Sequence, residues 1–453
     1  MFTTALNSKN ILIISTTENG HLVKTLQIIN YYQNKGFGVH FLAQGNKIDF
    51  FNEKEIDFKK LNSEIFGYYY SKPHQKKGFQ RWINEWKDRK FDNRFLARKE
   101  EIEQHLESIK PSLIFLDIFC ISDFLFCYSY SKRTNAKIIA FSCYFPEVQQ
   151  SNIPPLNKYA FPTEKVNNLW KEKIKKLNKF NRRQSILFPF RSNKHLIYKA
   201  MKKLNIPNTY TPIYWERYPL FKQLEIWYGQ PEEFDFTPQK LPVNRHYMGP
   251  MVESKISPNQ DPRLDFFLKL KNKNSNSKLL FCSLGTIFLQ LIDEQKAIQF
   301  FTKIITIGKE NPNWFIAIYV PEILYNKLKV QSINVMLFPR INYNYILDQS
   351  DVFISHGGGN SYLEAIYTGT PILAFPPSED WDHPGVTARI VYHKIGLKAD
   401  LNDSTSNITS KVNTLLEEED FQITLKKWKE VMETKYPSNY MDEILSKLSS
   451  INN

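Results

Sequence analysis

The chain is poor in the residues that would staple or anchor it. It has four cysteines in 453 residues, Cys120, Cys127, Cys143 and Cys282, with no CxxC pair. That excludes a disulfide framework and a structural zinc site, and reads as reduced core thiols of a cytoplasmic protein. No apolar run approaches the ~18 residues that span a bilayer. The first ten residues are polar and lack the tripartite pattern of a secretory signal. Two catalytic signatures are also missing. No GxGxxG follows the first apolar run, which weakens a dinucleotide-dependent reading. No GxSxG occurs, so the HGGG at His356–Gly359 has no nucleophile elbow to serve as an esterase oxyanion loop.

What is present describes a soluble globular chain. Hydrophobic residues make up 42% and charged residues 23%, which argues against disorder. Aromatics reach 15%, enough for large cores or an apolar pocket. The formal net charge of +14 favours anionic partners such as phosphate esters or acidic membranes. Most of it lies in residues 158–203, where Val166, Leu169, Trp170, Ile174 and Leu177 fall at helical spacing between lysines. That is a basic amphipathic helix. A solvated face packed on a core is the plain reading, and peripheral contact with an anionic membrane through 158–203 is the sharper one. No nucleic-acid-binding module is recognisable, so nucleic acid is not an expected partner.

Short buried-strand patterns alternate with helical ones. Asn10–Ser15 and Val39–Ala43 flank a Thr17–His21 turn and a helix built on Leu22, Leu26, Ile29 and Tyr32. Ser112–Phe119 and Lys137–Ser142 are further strands. After a Gly/Pro-containing stretch at 246–262, the alternation restarts with strands at Lys278–Ser283, Trp314–Val320, Val335–Phe338 and Val352–Ser355. This order predicts an α/β protein with two Rossmann-like, doubly wound domains facing a central cleft. The expected division is 1–245, a linker 246–262, 263–415, and a helical segment 416–453 returning to the first domain.

Two constellations carry chemistry. The first is the run His356-Gly357-Gly358-Gly359-Asn360-Ser361, followed by a helical pattern holding Glu364. Glycines admit a ligand to the backbone, and a helix N-terminus attracts phosphate. Glu364, one turn in, can accept hydrogen bonds from two sugar hydroxyls. The second is Gly20-His21 after the first strand, with Asp117 closing another strand. A histidine at that sheet edge suits general base work, and a carboxylate beside it would orient the ring and stabilise its protonated form. Asp380-Trp381-Asp382 is a DxD triplet that can hold a divalent metal, although so short an acidic pattern recurs by chance.

These residues resemble the UDP-glycosyltransferase superfamily, inverting nucleotide-sugar enzymes of GT-B fold acting on natural products and lipids. The resemblance rests on His356–Glu364, Gly369-Thr370-Pro371, Pro376 and Pro384-Gly-Val-Thr-Ala-Arg389, with Ser283-Leu-Gly-Thr286 and Met248-Gly-Pro250 in support. It implies that His21 is the general base and Asp117 its partner. It implies that Gly285, Thr286, His356, Gly357, Gly358, Gly359, Asn360 and Ser361 hold the diphosphate, and that Glu364 holds the ribose. No metal or other cofactor is implied. The sugar-contacting Asp-Gln pair of the family falls on Asp380-Trp381, or on Asp382-His383 if anchored on Pro384, and the glutamine is absent either way. The second alignment is preferred. Leu337-Phe338-Pro339-Arg340 stands where the family often has a base-stacking aromatic and Pro-Gln. The expectation is hexose transfer from a nucleotide sugar, by family default UDP-linked, to a hydrophobic small molecule or lipid. A nucleotide-sugar binding protein without catalysis is the alternative.

Overall fold

In the computed structural model, residues 10–45, 51–52, 54–67, 78–163, 165–213, 218–238, 240–252, 258–285, 288–379, 381–437, 440 and 442–443 are described. The first half is a seven-stranded parallel sheet of β1 (Asn10–Thr16), β2 (Gly38–Gln44), β3 (Asp57–Lys60), β4 (Leu113–Asp117), β5 (Lys137–Ser142), β8 (Glu225–Tyr228) and β9 (Arg245–Tyr247), in the order β3-β2-β1-β4-β5-β8-β9. A two-stranded ribbon of β6 (Pro212–Ile213) and β7 (Leu220–Phe221) lies between β5 and β8 in the chain. The second half is a six-stranded parallel sheet of β10 (Lys278–Ser283), β11 (Trp314–Tyr319), β12 (Val335–Phe338), β13 (Val352–Ser355), β14 (Ile372–Ala374) and β15 (Gly396–Lys398), in the order β12-β11-β10-β13-β14-β15.

The apolar runs explain which strands are central. Ile11 to Ile14 in β1 and Leu279 to Cys282 in β10 have no exposed surface. A strand covered by helices on both faces must be apolar at consecutive positions, not alternating ones. In each sheet the strand order reverses beside such a strand, between β1 and β4 and between β10 and β13. These are the topological switch points, where loops diverge and leave a crevice at the carboxyl edge.

The Thr17–His21 turn is shorter than its sequence suggests. The helix begins at Asn19, because Glu18 adopts extended geometry and its carbonyl accepts from the His21 and Leu22 N–H groups. His21 therefore sits in the first helical turn. Strand β9 takes His246 and Tyr247, the first residues of the stretch read as linker.

Two contacts hold the halves together deep in the molecule. The Arg389 guanidinium donates to Asp235 Oδ1 at 2.6 and 3.0 Å, with both side chains buried. Its flat faces lie over Phe145 and Phe236, 4.6 and 4.5 Å from the ring centres. Tyr362 stacks on Phe234 at 4.3 Å. The helix Glu419–Lys435 brings the chain back to the first half, where Lys435 pairs with Glu233 at 2.9 Å and Asp442 with Lys35 at 2.6 Å.

Candidate functional site

His21, in the first turn of the helix that follows β1, and Asp117, the last residue of β4, meet at the first switch point. The His21 Nδ1–H donates to Asp117 Oδ2 at 2.7 Å, in a pair that is almost fully buried. Asp117 is held in turn by the Ser15 hydroxyl at 3.1 Å and the Phe119 N–H at 2.8 Å. Burial alone would lower the His21 pKa. The Asp117 charge and hydrogen bond, with a contribution from Cys143, overcome that and raise it well above the usual value. The tautomer fixed by Asp117 leaves Nε2 as the outward, basic nitrogen. The Tyr144 hydroxyl lies 3.3 Å from it and Cys143 Sγ 3.4 Å.

Aromatic rings cluster beside the imidazole. Phe119 lies against the imidazole at 4.2 Å, and Tyr144, Tyr218 and Trp381 surround Phe119 at 5.8–6.3 Å. In the sequence Trp381 stood out only within the Asp380-Trp381 placement of the sugar-contacting pair, and Phe119, Tyr144 and Tyr218 were not read as pocket residues. The four come from four separate segments that only the fold brings together.

The second switch point carries the glycine loop. Ser283 and Ser355 are register partners at the ends of β10 and β13. The Ser283 hydroxyl accepts from Gly285 N–H at 3.4 Å, and the Ser355 hydroxyl from Gly357 N–H at 3.2 Å. Both glycines have positive φ, +72° and +75°. A Cβ at Gly285 would stand 2.6 Å from the His356 ring, and one at Gly357 would stand 2.4 Å from Thr387 Oγ1. Only glycine fits either position.

Among the described residues, three buried polar atoms at this loop have no hydrogen-bond partner: His356 Nδ1, His383 Nδ1 and Thr387 Oγ1. The two imidazoles lie 4.9 Å apart. Burial, with His383 nearby, drives the His356 pKa well below its usual value, and burial pulls His383 down to about 4. Both rings are therefore neutral N–H donors at physiological pH. Unsatisfied buried donors beside a helix N-terminus are what an anionic ligand would complete.

The loop touches the first half at the base. The Asn360 side-chain N–H donates to the Gly20 carbonyl at 3.0 Å, one residue from His21. Gln230 donates to the carbonyls of Cys143 and Gly359 and accepts from the Tyr362 hydroxyl. Asp382 lies near Gly359, and burial lifts its pKa to about 6 against the nearby His21 charge. Ser361 and Glu364 occupy the first turn of the helix Ser361–Thr368. Burial pushes Glu364 up to about 7, opposed by Lys24 and by a hydrogen bond from Tyr343. Lys24 is fully buried one turn after His21, donates to the Gly229 carbonyl, and is brought down to about 8 by burial. Neither Lys24 nor Gln230 stood out in the sequence. Lys24 is one lysine among many, and Gln230 lies in a loop without pattern.

Of the residues expected to bind donor, Gly285, His356, Gly357, Gly358, Gly359, Asn360, Ser361, Glu364, Asp382 and His383 line this one region. Thr286 and Asp380 lie outside the described residues. Phe338 is packed against Phe267, with Arg263 over its ring, and so belongs to the core. Among the described residues, no group of three or more His, Cys, Asp or Glu is placed to hold a metal. No described helix is long and apolar enough to cross a membrane.

Two Rossmann-like halves, each opening its switch point toward the other, define a GT-B glycosyltransferase fold. The calicheamicin glycosyltransferase CalG4 has the same fold, with a TM-score of 0.69 at 15% identity over 98% of this chain and 99% of that one. No family sequence model matches the chain. A zeaxanthin glucosyltransferase of Pantoea ananas is 27% identical over 197 residues, 43% of this chain and 42% of that protein. An uncharacterised UDP-glucosyltransferase, YdhE of Bacillus subtilis (strain 168), is 30% identical over 124 residues, 26% of this chain and 31% of that protein. The chain thus spans less than half the length of these curated relatives. Sequence likeness to UDP-glycosyltransferases is confined to part of the chain, and the likeness to solved structures at 15% identity shows the GT-B fold.

Proposed function

We propose that the protein transfers a hexose from a nucleotide sugar, UDP-linked, to a hydroxyl of a hydrophobic acceptor, with inversion at the anomeric carbon. The observation that carries this reading is the His21–Asp117 pair at 2.7 Å facing a glycine loop whose Asn360 reaches the Gly20 carbonyl. A base and an anion cradle in contact are what displacement of a diphosphate by an alcohol requires.

In this mechanism the acceptor hydroxyl takes the position beside His21 Nε2 that Tyr144 now shares. Nε2 removes its proton as the oxygen attacks the anomeric carbon, and Asp117 stabilises the resulting imidazolium. The leaving diphosphate takes the free donors of His356, His383 and Thr387 and the backbone of Gly357–Gly359. Neutral imidazoles offer hydrogen bonds there without a fixed cation, and the helix N-terminus adds its partial positive charge. Glu364 receives the ribose hydroxyls, and Asp382 faces the sugar. The Phe119, Tyr144, Tyr218 and Trp381 rings suit an apolar acceptor, in keeping with a relative named for glucosylating zeaxanthin. The four buried, free cysteines suit a reducing cytoplasm.

A mass-spectrometric screen of the purified protein with UDP- and dTDP-sugars and a panel of hydrophobic alcohols tests the reading. A glycoside of inverted configuration is expected. Tight UDP binding with neither transfer nor donor hydrolysis would instead identify a binding protein.

A further inference from the structure

The basic helix of the sequence is held at both ends and presents its middle to solvent. In the helix Val166–Leu187, Val166 and Trp170 are buried, and the Trp170 indole donates to the Ile153 carbonyl at 2.7 Å. At the other end Phe188 is buried beneath the Arg89 guanidinium, and the short helix Phe79–Asp88, with no buried residue among those described, packs alongside. The Trp82 indole donates to the Leu187 carbonyl at 3.0 Å and stacks on Phe79 at 5.4 Å. Between the two helices lies an open groove of about 330 Å³, lined by Gly78, Arg81, Trp82, Phe180, Arg183 and Leu187, among others.

Four large apolar side chains of this flap stand in solvent: Phe79 at 73% exposure, Phe180 at 51%, Ile186 at 67% and Phe190 at 81%. Single exposed hydrophobes are ordinary on a protein surface, but four of them on two adjoining helices and the turn that follows, with Phe180 lining the groove, are not. The same segment exposes Lys175, Lys176, Lys179, Arg182 and Arg183. Among the described residues these five form no ion pair, whereas Lys173 on the same helix pairs with Glu147. A merely solvated helix face would be basic without the aromatics. A face made for another protein's core would be apolar without so dense a single-sign charge. Aromatic wedges among cations match the boundary of an acidic bilayer, where rings enter the headgroup layer and ammonium and guanidinium groups reach phosphates.

We propose that this two-helix flap docks the protein on an anionic lipid surface, with Phe79, Phe180, Ile186 and Phe190 inserted and the Lys175–Arg183 cations on the headgroups. The proposal is independent of which acceptor the enzyme uses.

The test is co-sedimentation of the full chain with vesicles of phosphatidylglycerol and phosphatidylcholine in equal parts, against phosphatidylcholine alone. Binding to the acidic vesicles that weakens with salt is expected. Phe180→Ser with Ile186→Ser should weaken it about tenfold or more. Lys179→Glu with Arg182→Glu should erase the preference for acidic lipid. Both variants should keep the wild-type melting temperature and UDP affinity. Failure to bind acidic vesicles overturns the proposal, as does equal binding to both kinds or wild-type binding by the double serine variant. Concentration-dependent self-association that the serine variant abolishes would assign the face to a second copy. RNA binding without vesicle binding would assign it to nucleic acid. Each of these also overturns the proposal.

Discussion

At the scale of single residues, the account rests on how burial and charge set protonation. His21 must be neutral to accept a proton, yet Asp117 raises its pKa. Activity should therefore climb with pH on the acid side until the His21 pKa is passed. Asp117→Asn removes the charge that raises it. The acid limb of kcat/KM should move to lower pH while the maximal rate falls at least about a hundredfold. A pH–rate profile of the variant checks both, and an unmoved limb would remove Asp117 from its role. Lys24 gives a second case. Its ammonium favours the ionised form of Glu364, whose pKa is about 7. Lys24→Met should raise that pKa, so UDP affinity at neutral pH should fall about tenfold and recover in alkali. Calorimetric titration across pH reads this, and identical wild-type and variant profiles would refute it. His21, Asp117 and the His356–Glu364 run were legible because each stands where an apolar strand ends. Lys24, Cys143, Tyr144 and Gln230 were not, since their placement depends on contacts up to 205 residues apart in the chain, as between Lys24 and Gly229.

At the scale of elements, legibility followed burial. The continuous runs of β1, β5, β10, β12 and β13 read directly, because a strand covered on both faces leaves no choice of residue. β3 (Asp57–Lys60) did not, because it is a polar edge strand that, among the described residues, pairs only with β2. Lysines on such an edge discourage further pairing, and they also erase the apolar signal. β14 and β15 are three residues each, too short for a period. The glycine loop gives the prediction that belongs to this scale. Gly357→Ala forces a side chain onto a +75° φ and into Thr387. UDP affinity should fall by at least about tenfold, while the fold, held by the flanking strands, persists. Calorimetry with circular dichroism distinguishes this from unfolding, and unchanged affinity would mean the loop does not hold the donor.

At the scale of the molecule, the proposed transfer requires the two halves to be one body. Arg389 and Asp235 are buried against each other at that junction, and truncating one partner leaves a charge stranded. Arg389→Met should cost roughly 3–5 kcal/mol and should split the thermal transition into two, one for each sheet. A single transition at the wild-type temperature, read by scanning calorimetry, would show that the halves are coupled elsewhere. The division into two sheets was legible because the α/β alternation stops and restarts. The interlock was not, since Arg389 and Asp235 lie 154 residues apart and neither sits in a patterned strand.

The claim beneath all of this is that one half supplies the proton acceptor and the other holds the departing diphosphate. The most direct measurement compares product formation from a nucleotide sugar and a hydrophobic alcohol by wild type and His21→Ala, with UDP affinity measured on both. The account predicts transfer lowered by roughly 10²–10⁴, with UDP affinity unchanged. Transfer that persists in His21→Ala, or a loss that comes with lost UDP binding, would contradict it.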